Sequence, residues 1–187
     1  MNLPNKLTVA RLGLTFVFVA CFAMNFPGRM TAAFVIFLVA ALTDYLDGEI
    51  ARKANLITDF GKLMDPLADK ILTAAAFICL TGFGAIPEWA VILIISREFL
   101  ITGLRSLAAS KGLVLPAEKL GKHKTTWQMI TIIFFLMLLS VAEWTHAPIF
   151  GLAWNVGTHL LVPVTVMLSV YSGLAYLAKN RSLIDGR

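Results

Sequence analysis

The sequence predicts an all-α integral membrane protein, a bundle of six transmembrane helices with a short N-terminal amphipathic segment. Of its 187 residues, 58% are hydrophobic and only 14% are charged, whereas soluble domains average about half apolar and about a quarter charged. A spanning helix needs about 20 mostly apolar residues, and six such stretches fill the chain. We therefore expect one membrane domain over residues 1–187, embedded in a lipid bilayer. This composition excludes a disordered chain, and we expect no nucleic-acid partner.

The six apolar stretches are separated by short breaks. The predicted spans cover residues 10–26, 31–53, 62–83, 88–111, 122–143 and 155–178. Pro27 and Gly28 follow the first span and Gly112 follows the fourth, as expected of residues that end helices. Residues 2–10 are too polar to cross the membrane, so we expect them to form a short amphipathic helix on its surface.

Lysine and arginine residues concentrate on one side of this predicted topology. Both termini and the second and fourth connections carry them: Lys6, Arg11, Arg52, Lys53, Lys62, Lys111, Lys119, Lys122, Lys124, Lys179, Arg181 and Arg187. The opposite side has Arg29 alone. Because short cytoplasmic loops carry the excess of basic residues, we predict that both termini lie in the cytoplasm.

Acidic residues gather in the second and third spans. Six of the eleven lie between positions 44 and 69. Asp44 and Asp47 are three residues apart, and Asp65 and Asp69 are four apart, so each pair shares one face of its helix. With a turn near Leu56, the two helices run antiparallel and the carboxylates form two pairs at matching heights. Ionisable groups inside a span cost about 3 kcal/mol each and are functional by default.

Four clustered carboxylates repel one another, and several would stay protonated unless cations neutralise them. Ligands that are all oxygen favour Mg²⁺ or Mn²⁺, so we predict two divalent ions at this hairpin. A salt-bridge network with Arg52, Lys62 and Lys70 is an alternative that leaves the regular spacing unexplained. A cation transporter is another class of protein with acids inside its helices.

The four carboxylates belong to a longer motif: Asp44-x2-Asp47-Gly48-x2-Ala51-Arg52, eight residues, then Gly61-x3-Asp65-x3-Asp69. This motif resembles the signature of the CDP-alcohol phosphatidyltransferases at all eight defining positions and at the family's spacing. The resemblance implies an enzyme that transfers a phosphatidyl group from CDP-diacylglycerol to an alcohol and releases CMP. It also implies a homodimer.

The resemblance further implies a role for each matching residue. Asp44, Asp47 and Asp65 would hold the metal ions, and Asp69 would contribute to metal binding and act as the general base toward the acceptor hydroxyl. The CDP part of the substrate would contact a second group of residues, which includes two near the N-terminus: Asn5, Thr8, Gly48, Ala51, Arg52 and Gly61. For Asn5 and Thr8, an ordinary polar start to a surface helix is the alternative.

Basic residues on the fourth and fifth helices predict where the acceptor binds. Arg97 and Arg105 lie two turns apart on one face of an otherwise apolar helix, and we expect Glu98 to be the counter-ion of Arg105. A cationic pocket beside the acidic hairpin would suit a small dianionic acceptor. The predicted pocket residues are Arg97, Arg105, Lys122, Lys124 and Thr125. For the lysines, attraction to anionic headgroups is the plain alternative.

Both basic segments resemble those of the bacterial family members that use glycerol 3-phosphate. CDP-diacylglycerol and glycerol 3-phosphate are therefore the predicted substrates, and the bacterial cytoplasmic membrane is the predicted location, with the active site on the cytoplasmic side. The core motif alone leaves inositol phosphate, serine or a second phospholipid open as the acceptor.

Overall fold

The computed structural model describes residues 3–54, 59–113, 115, 119–145 and 149–181. Side chains are described in the same ranges except at 3–5, 44–54, 59–63, 65–66, 119 and 149. Within these ranges the regular structure is helical: α1 Leu3–Ala23, α2 Arg29–Ala54, α3 Asp59–Thr81, α4 Glu88–Ser110, α5 Lys119–Trp144, α6 Ile149–Val156, a π-helical turn Gly157–Leu161, and α7 Val162–Lys179. The predicted all-α class is confirmed. The first five predicted spans each overlap one helix, and the sixth overlaps α6, the π-helical turn and α7.

Three stretches of the described chain are long and apolar enough to cross a bilayer. They are Lys6–Ala23 in α1, Leu120–Trp144 in α5, and Phe150–Lys179, which runs from α6 through α7. A shorter apolar stretch, Arg29–Thr43, lies in α2. These helices are those of a membrane protein. Six separate crossings, and a single domain over the whole chain, stay predictions.

The N-terminal residues differ from expectation. Residues 3–10 run without a break into α1, so the separate amphipathic helix predicted there is instead the first part of the first long helix. Pro4 does not interrupt it, because a proline in the first turn lacks only an N–H that has no partner in the helix. Thr8 and Arg11 are 0% and 1% exposed and face the interior of the bundle, whereas Lys6 is exposed.

The apolar core extends through the bundle. It includes Phe18 of α1, whose ring lies 5.9 Å from that of Phe37 in α2, and Phe77, Ile94 and Phe135 from the next three helices. Lipid is as apolar as these side chains, so close packing rather than water exclusion holds such helices together. A smaller cluster of Ile101, Leu104 and Tyr176 joins α4 to α7, and it fixes these two helices against each other near their C-terminal ends.

The π-helical turn Gly157–Leu161 joins α6 to α7 without breaking the helical rod. Gly157 is buried, and a Cβ at this position would lie 2.6 Å from the ring of Phe134 and 2.8 Å from that of Phe135. Only glycine lets α5 approach this closely. Pro163 follows in the first turn of α7. The wider turn accommodates it, because proline has no N–H for the regular helical hydrogen bond.

Candidate active site

A cavity of about 650 Å³ lies between α3, α4 and α5, at the end of the bundle where α4 finishes and α5 begins. Its volume is typical of sites for small molecules. Its wall is formed by Asp69, Lys70, Arg97, Glu98, Ile101, Thr102, Arg105, Gly121, Lys122, Lys124, Thr125, Thr126 and Met129. Five of these side chains are cationic and two are acidic, which leaves an excess of three positive charges. Such a cavity suits an anion.

The five predicted acceptor residues all line this one cavity. Arg97 and Arg105 reach it from α4, and Lys122, Lys124 and Thr125 reach it from the first turns of α5. They come together because ionisable side chains on apolar helices cannot face lipid cheaply and turn toward the bundle interior. Their position is therefore the one expected, while their role in binding phosphate stays a prediction.

Glu98 neutralises part of this positive charge. Its Oε1 accepts a hydrogen bond from Nζ of Lys124, and Nη1 of Arg97 lies 3.4 Å away. Lys124 is only 3% exposed, so its ammonium depends on this carboxylate. The predicted pairing of Glu98 with Arg105 is wrong. Seven residues separate the two along α4, about 10 Å, and Nε of Arg105 donates to the hydroxyl of Tyr176 at 3.2 Å instead.

Lys70 joins the same network from α3. Its Nζ donates a hydrogen bond to Oγ1 of Thr102, and that hydroxyl donates to the backbone carbonyl of Glu98 at 2.7 Å. From the sequence, Lys70 belonged only to the alternative salt-bridge network. Its place directly after Asp69 was the available signal that it would reach the site. The bond to Thr102 ties the wall that carries Asp69 to the wall that carries the arginines.

Helix α7 supports both arginines from outside the cavity. Nη2 of Arg97 donates to Oγ of Ser172 at 3.1 Å, and its stem passes Gly173, where a Cβ would lie 2.8 Å from Cγ of Arg97. The guanidinium carbon of Arg105 lies 5.4 Å from the ring centroid of Tyr176. None of the three α7 residues was predicted, because they carry no charge and lie in an apolar stretch. Their shared helical face was the only signal.

Asp69 is the one predicted metal ligand whose side chain is among the described residues. It is partly buried and lines the cavity. Asp44 and Asp47 lie in α2 and Asp65 lies in α3, but their side chains fall outside the described residues. Among the side chains that are described, no group of three or more His, Cys, Asp or Glu could hold a metal ion. The metal site therefore stays a prediction.

Of the predicted nucleotide contacts, Thr8 is the one whose side chain is among the described residues. It is fully buried in α1, one turn before the buried Arg11, and both make contacts within the bundle. This burial contradicts the alternative in which Thr8 begins an ordinary surface helix. The other predicted contacts have side chains outside the described residues: Asn5, Gly48, Ala51, Arg52 and Gly61.

Comparison with known proteins adds a family to this geometry. The family model for CDP-alcohol phosphatidyltransferase matches residues 1–171. Two curated relatives are named CDP-diacylglycerol–glycerol-3-phosphate 3-phosphatidyltransferase. The one from Bacillus subtilis is 42% identical, covering 96% of this chain and 95% of its own length. The one from Rickettsia bellii is 35% identical, covering 94% of this chain and 93% of its own.

A solved structure has the same fold. The crystal structure of Mycobacterium tuberculosis phosphatidylinositol phosphate synthase in its apo form matches with a TM-score of 0.62, over 97% of this chain and 92% of that one. The two sequences are 22% identical, so the likeness concerns the fold alone.

Proposed function

Because this chain belongs to the CDP-alcohol phosphatidyltransferase family, we propose that it transfers the phosphatidyl group of CDP-diacylglycerol to sn-glycerol 3-phosphate. The products are phosphatidylglycerophosphate and CMP. The relatives from Bacillus subtilis and Rickettsia bellii carry the name of this activity and match this chain over nearly its whole length. The observation that carries the proposal is the cationic cavity whose wall also contains Asp69.

The charges of the cavity support a phosphorylated acceptor. A phosphate dianion would neutralise two of the three excess positive charges in its wall, whereas a neutral alcohol would neutralise none. Arg105 is exposed at the cavity, and the planar fork of a guanidinium matches two oxygens of one phosphate. Lys122, also exposed, is a further donor for the same group. The hydroxyl of Thr125 donates to the carbonyl oxygen of Gly121 at 3.1 Å and would have to turn from it to bind the phosphate.

Asp69 would act on the hydroxyl end of the acceptor. With the phosphate held by the cations of α4 and α5, the hydroxyl points to the α3 side of the same cavity, where Asp69 lies. Its carboxylate takes the hydroxyl proton as the oxygen attacks the lipid-linked phosphorus of CDP-diacylglycerol. The bond from that phosphorus to the CMP oxygen breaks, and CMP leaves with the bonding electrons.

We assign two divalent ions, Mg²⁺ or Mn²⁺, to Asp44, Asp47, Asp65 and Asp69, as the family resemblance implies. The donor set fits such ions because it consists of carboxylate oxygens alone, and its described member lies in the wall of the cavity. When bound, the ions would neutralise the charge that develops on the departing CMP. The residues of this chain would hold and orient the diphosphate beside the acceptor.

The remaining predicted features complete the proposal. The CDP part would contact Asn5, Thr8, Gly48, Ala51, Arg52 and Gly61, and the burial of Thr8 supports an inward-facing α1. The acyl chains would stay in the bilayer, and the active site would face the cytoplasm of a bacterium, in its cytoplasmic membrane. The homodimer implied by the resemblance stays a prediction, which mass measurement of the detergent-solubilised protein would check.

An acceptor panel tests the proposed function. Purified protein with Mg²⁺ or Mn²⁺ and CDP-diacylglycerol is offered glycerol 3-phosphate, inositol phosphate, serine or glycerol, and CMP release is followed. We expect glycerol 3-phosphate to give the fastest release. Glycerol is the matched control, since it lacks only the phosphate. Inositol phosphate is the runner-up acceptor because the cationic cavity would bind any phosphorylated alcohol. Faster release with serine or glycerol would contradict the assignment.

A further inference from the structure

We infer that one face of α7, formed by Ser172, Gly173 and Tyr176, holds Arg97 and Arg105 in the positions that bind the acceptor phosphate. The inference rests on the proposed function, because it takes the cavity to be the phosphate site. The three residues lie outside the cavity wall, and their side-chain hydrogen bonds to the wall are made to the arginines. They are therefore positioning residues rather than catalytic ones.

Tyr176 orients Arg105. Its hydroxyl accepts the hydrogen bond of Nε at 3.2 Å, and its ring lies beside the guanidinium. Tyr176 is itself fixed, since it is 3% exposed and packs with Ile101 and Leu104. The two terminal nitrogens of Arg105 have no hydrogen-bond partner in the described part of the chain. With Nε occupied, these two nitrogens form the fork available to phosphate oxygens.

Ser172 and Gly173 hold Arg97. The hydroxyl of Ser172 donates to the carbonyl oxygen of Ser169 at 3.0 Å, so its lone pairs are free to accept from Nη2 of Arg97 at 3.1 Å. Gly173 leaves the space through which the arginine stem passes, because a Cβ there would lie 2.8 Å from Cγ and 3.5 Å from Nε of Arg97. The other terminal nitrogen, Nη1, is directed to Glu98.

The two contacts with α7 follow the same order as the two arginines along α4. Arg97 and Arg105 are eight residues apart, about 12 Å along α4. Their partners Ser172 and Tyr176 are four residues apart, about 6 Å along α7. One face of α7 therefore holds both arginines at once. Fixing the two guanidinium groups beforehand lowers the entropy cost of binding a phosphate.

Tyr176→Phe is the first test, with Tyr171→Phe as its matched control. Tyr171 lies on the same helix and is 62% exposed. In Tyr176→Phe the ring stays and only the hydroxyl is lost. We expect the KM for glycerol 3-phosphate to rise about fivefold. The dissociation constant of inorganic phosphate, measured by titration calorimetry, should rise by a similar factor. The KM for CDP-diacylglycerol and kcat should change less than about twofold, and Tyr171→Phe should match the wild type.

Gly173→Ala is the second test, with Gly151→Ala as its control, because a Cβ at Gly151 would meet nothing within 4 Å. The added methyl must displace Arg97, so phosphate binding should weaken in the same direction. The melting temperature without ligand checks that each variant is folded. Should Gly173→Ala not fold, Ser172→Ala removes the same support without adding an atom.

The outcomes separate this inference from the proposed function. Suppose that the wild type turns over glycerol 3-phosphate, and that neither Tyr176→Phe nor the folded one of Gly173→Ala and Ser172→Ala changes the KM for it. This result overturns the inference and leaves the proposed function intact. If the wild type does not turn over glycerol 3-phosphate, the proposed function is overturned. The calorimetric measurement of phosphate binding then still tests the inference about α7. Equal phosphate binding by the wild type and these variants overturns the inference, as does a parallel rise in the KM of both substrates.

Discussion

Each end of the bundle holds a partly buried glutamate, and the two carboxylates are satisfied by different kinds of donor. Glu143, near the end of α5, accepts hydrogen bonds from the backbone N–H groups of Met30 and Thr31, both 3.2 Å from its Oε2. These are among the free N–H groups in the first turn of α2. Glu98, at the cavity end, is satisfied by the side chains of Lys124 and Arg97.

This difference indicates that Glu143 connects two helices, whereas Glu98 belongs to a binding site. Two of the donors to Glu143 are backbone N–H groups of a helix, which keep their positions while α2 stays folded. The hydroxyl of Thr31 adds a third bond at 3.3 Å and itself accepts one from the indole of Trp144 at 2.7 Å. The donors to Glu98 are long cationic side chains, which can turn to an anionic ligand. The cavity end therefore has cationic side chains to offer to an anion, whereas the two backbone donors to Glu143 carry no charge.

The largest expected effect of a carboxylate-to-amide change is at Asp69. Asp69→Asn keeps the shape of the side chain but cannot accept the acceptor proton, so turnover should fall by about 10²- to 10⁴-fold. Binding of CDP-diacylglycerol should largely survive. CMP release and lipid binding are measured on the same preparation. Near-normal turnover would remove Asp69 as the general base.

Arg105→Ala should have the next largest effect. Loss of the guanidinium fork should raise the KM for glycerol 3-phosphate about 30-fold, which corresponds to about 2 kcal/mol, and leave that for CDP-diacylglycerol nearly unchanged. Arg29→Ala is the control from the opposite end, where the arginine donates to the carbonyl of Met24 at 3.0 Å. An unchanged acceptor KM in Arg105→Ala would contradict the phosphate pocket.

Glu98→Gln tests whether the cations depend on their carboxylate. The amide oxygen still accepts one hydrogen bond, but Lys124 and Arg97 lose their counter-charge, so we expect the free energy of unfolding to fall by about 1.5 kcal/mol. Added inorganic phosphate should raise the melting temperature of this variant more than that of the wild type, because the ligand supplies the missing charge. An equal response in the two proteins would argue against ligand binding at these cations.

The smallest effect is expected for Glu143→Gln, the same chemical change at the other end. The amide oxygen can still accept from the N–H groups of α2, and only the favourable interaction of a negative charge with the helix N-terminus is lost, less than about 1 kcal/mol. Turnover should equal that of the wild type. A fall in turnover comparable to that of Glu98→Gln would show that the two ends are not independent.

The helices were predictable because the lengths of the apolar stretches, and the Pro and Gly residues between them, indicate where helices begin and end. The predicted fourth span, residues 88–111, ends one residue beyond the observed α4, where Gly112 has a φ of +73° that glycine adopts readily. The grouping of Arg97, Arg105 and Lys124 was predictable for a related reason: charged side chains on apolar helices turn inward and meet. The motif around Asp69 indicated the family, which the comparisons confirm.

Features that depend on direction or on small uncharged residues were not predictable. Average hydropathy cannot tell a polar residue that faces water from one that faces the interior, so the segment that contains the inward-facing Thr8 was predicted to lie on the membrane surface. The sequence predicted Arg105 as the partner of Glu98, but its partners in the structure are Lys124 on α5 and the adjacent Arg97. Gly173 acts by having no side chain, and only the path of Arg97 reveals that.

The π-helical turn at Gly157–Leu161 has a geometric consequence for the far end of its rod. Because this turn holds one extra residue, every later residue lies about 100° behind the azimuth that it would have in an uninterrupted α-helix. This offset therefore determines the side of α7 on which Ser172 and Tyr176 meet α4. It arises at Gly157, which lies against the rings of Phe134 and Phe135. Ordinary α-helical winding of these same residues would rotate the hydroxyl groups of Ser172 and Tyr176 away from the arginines, while leaving the composition of the helix unchanged.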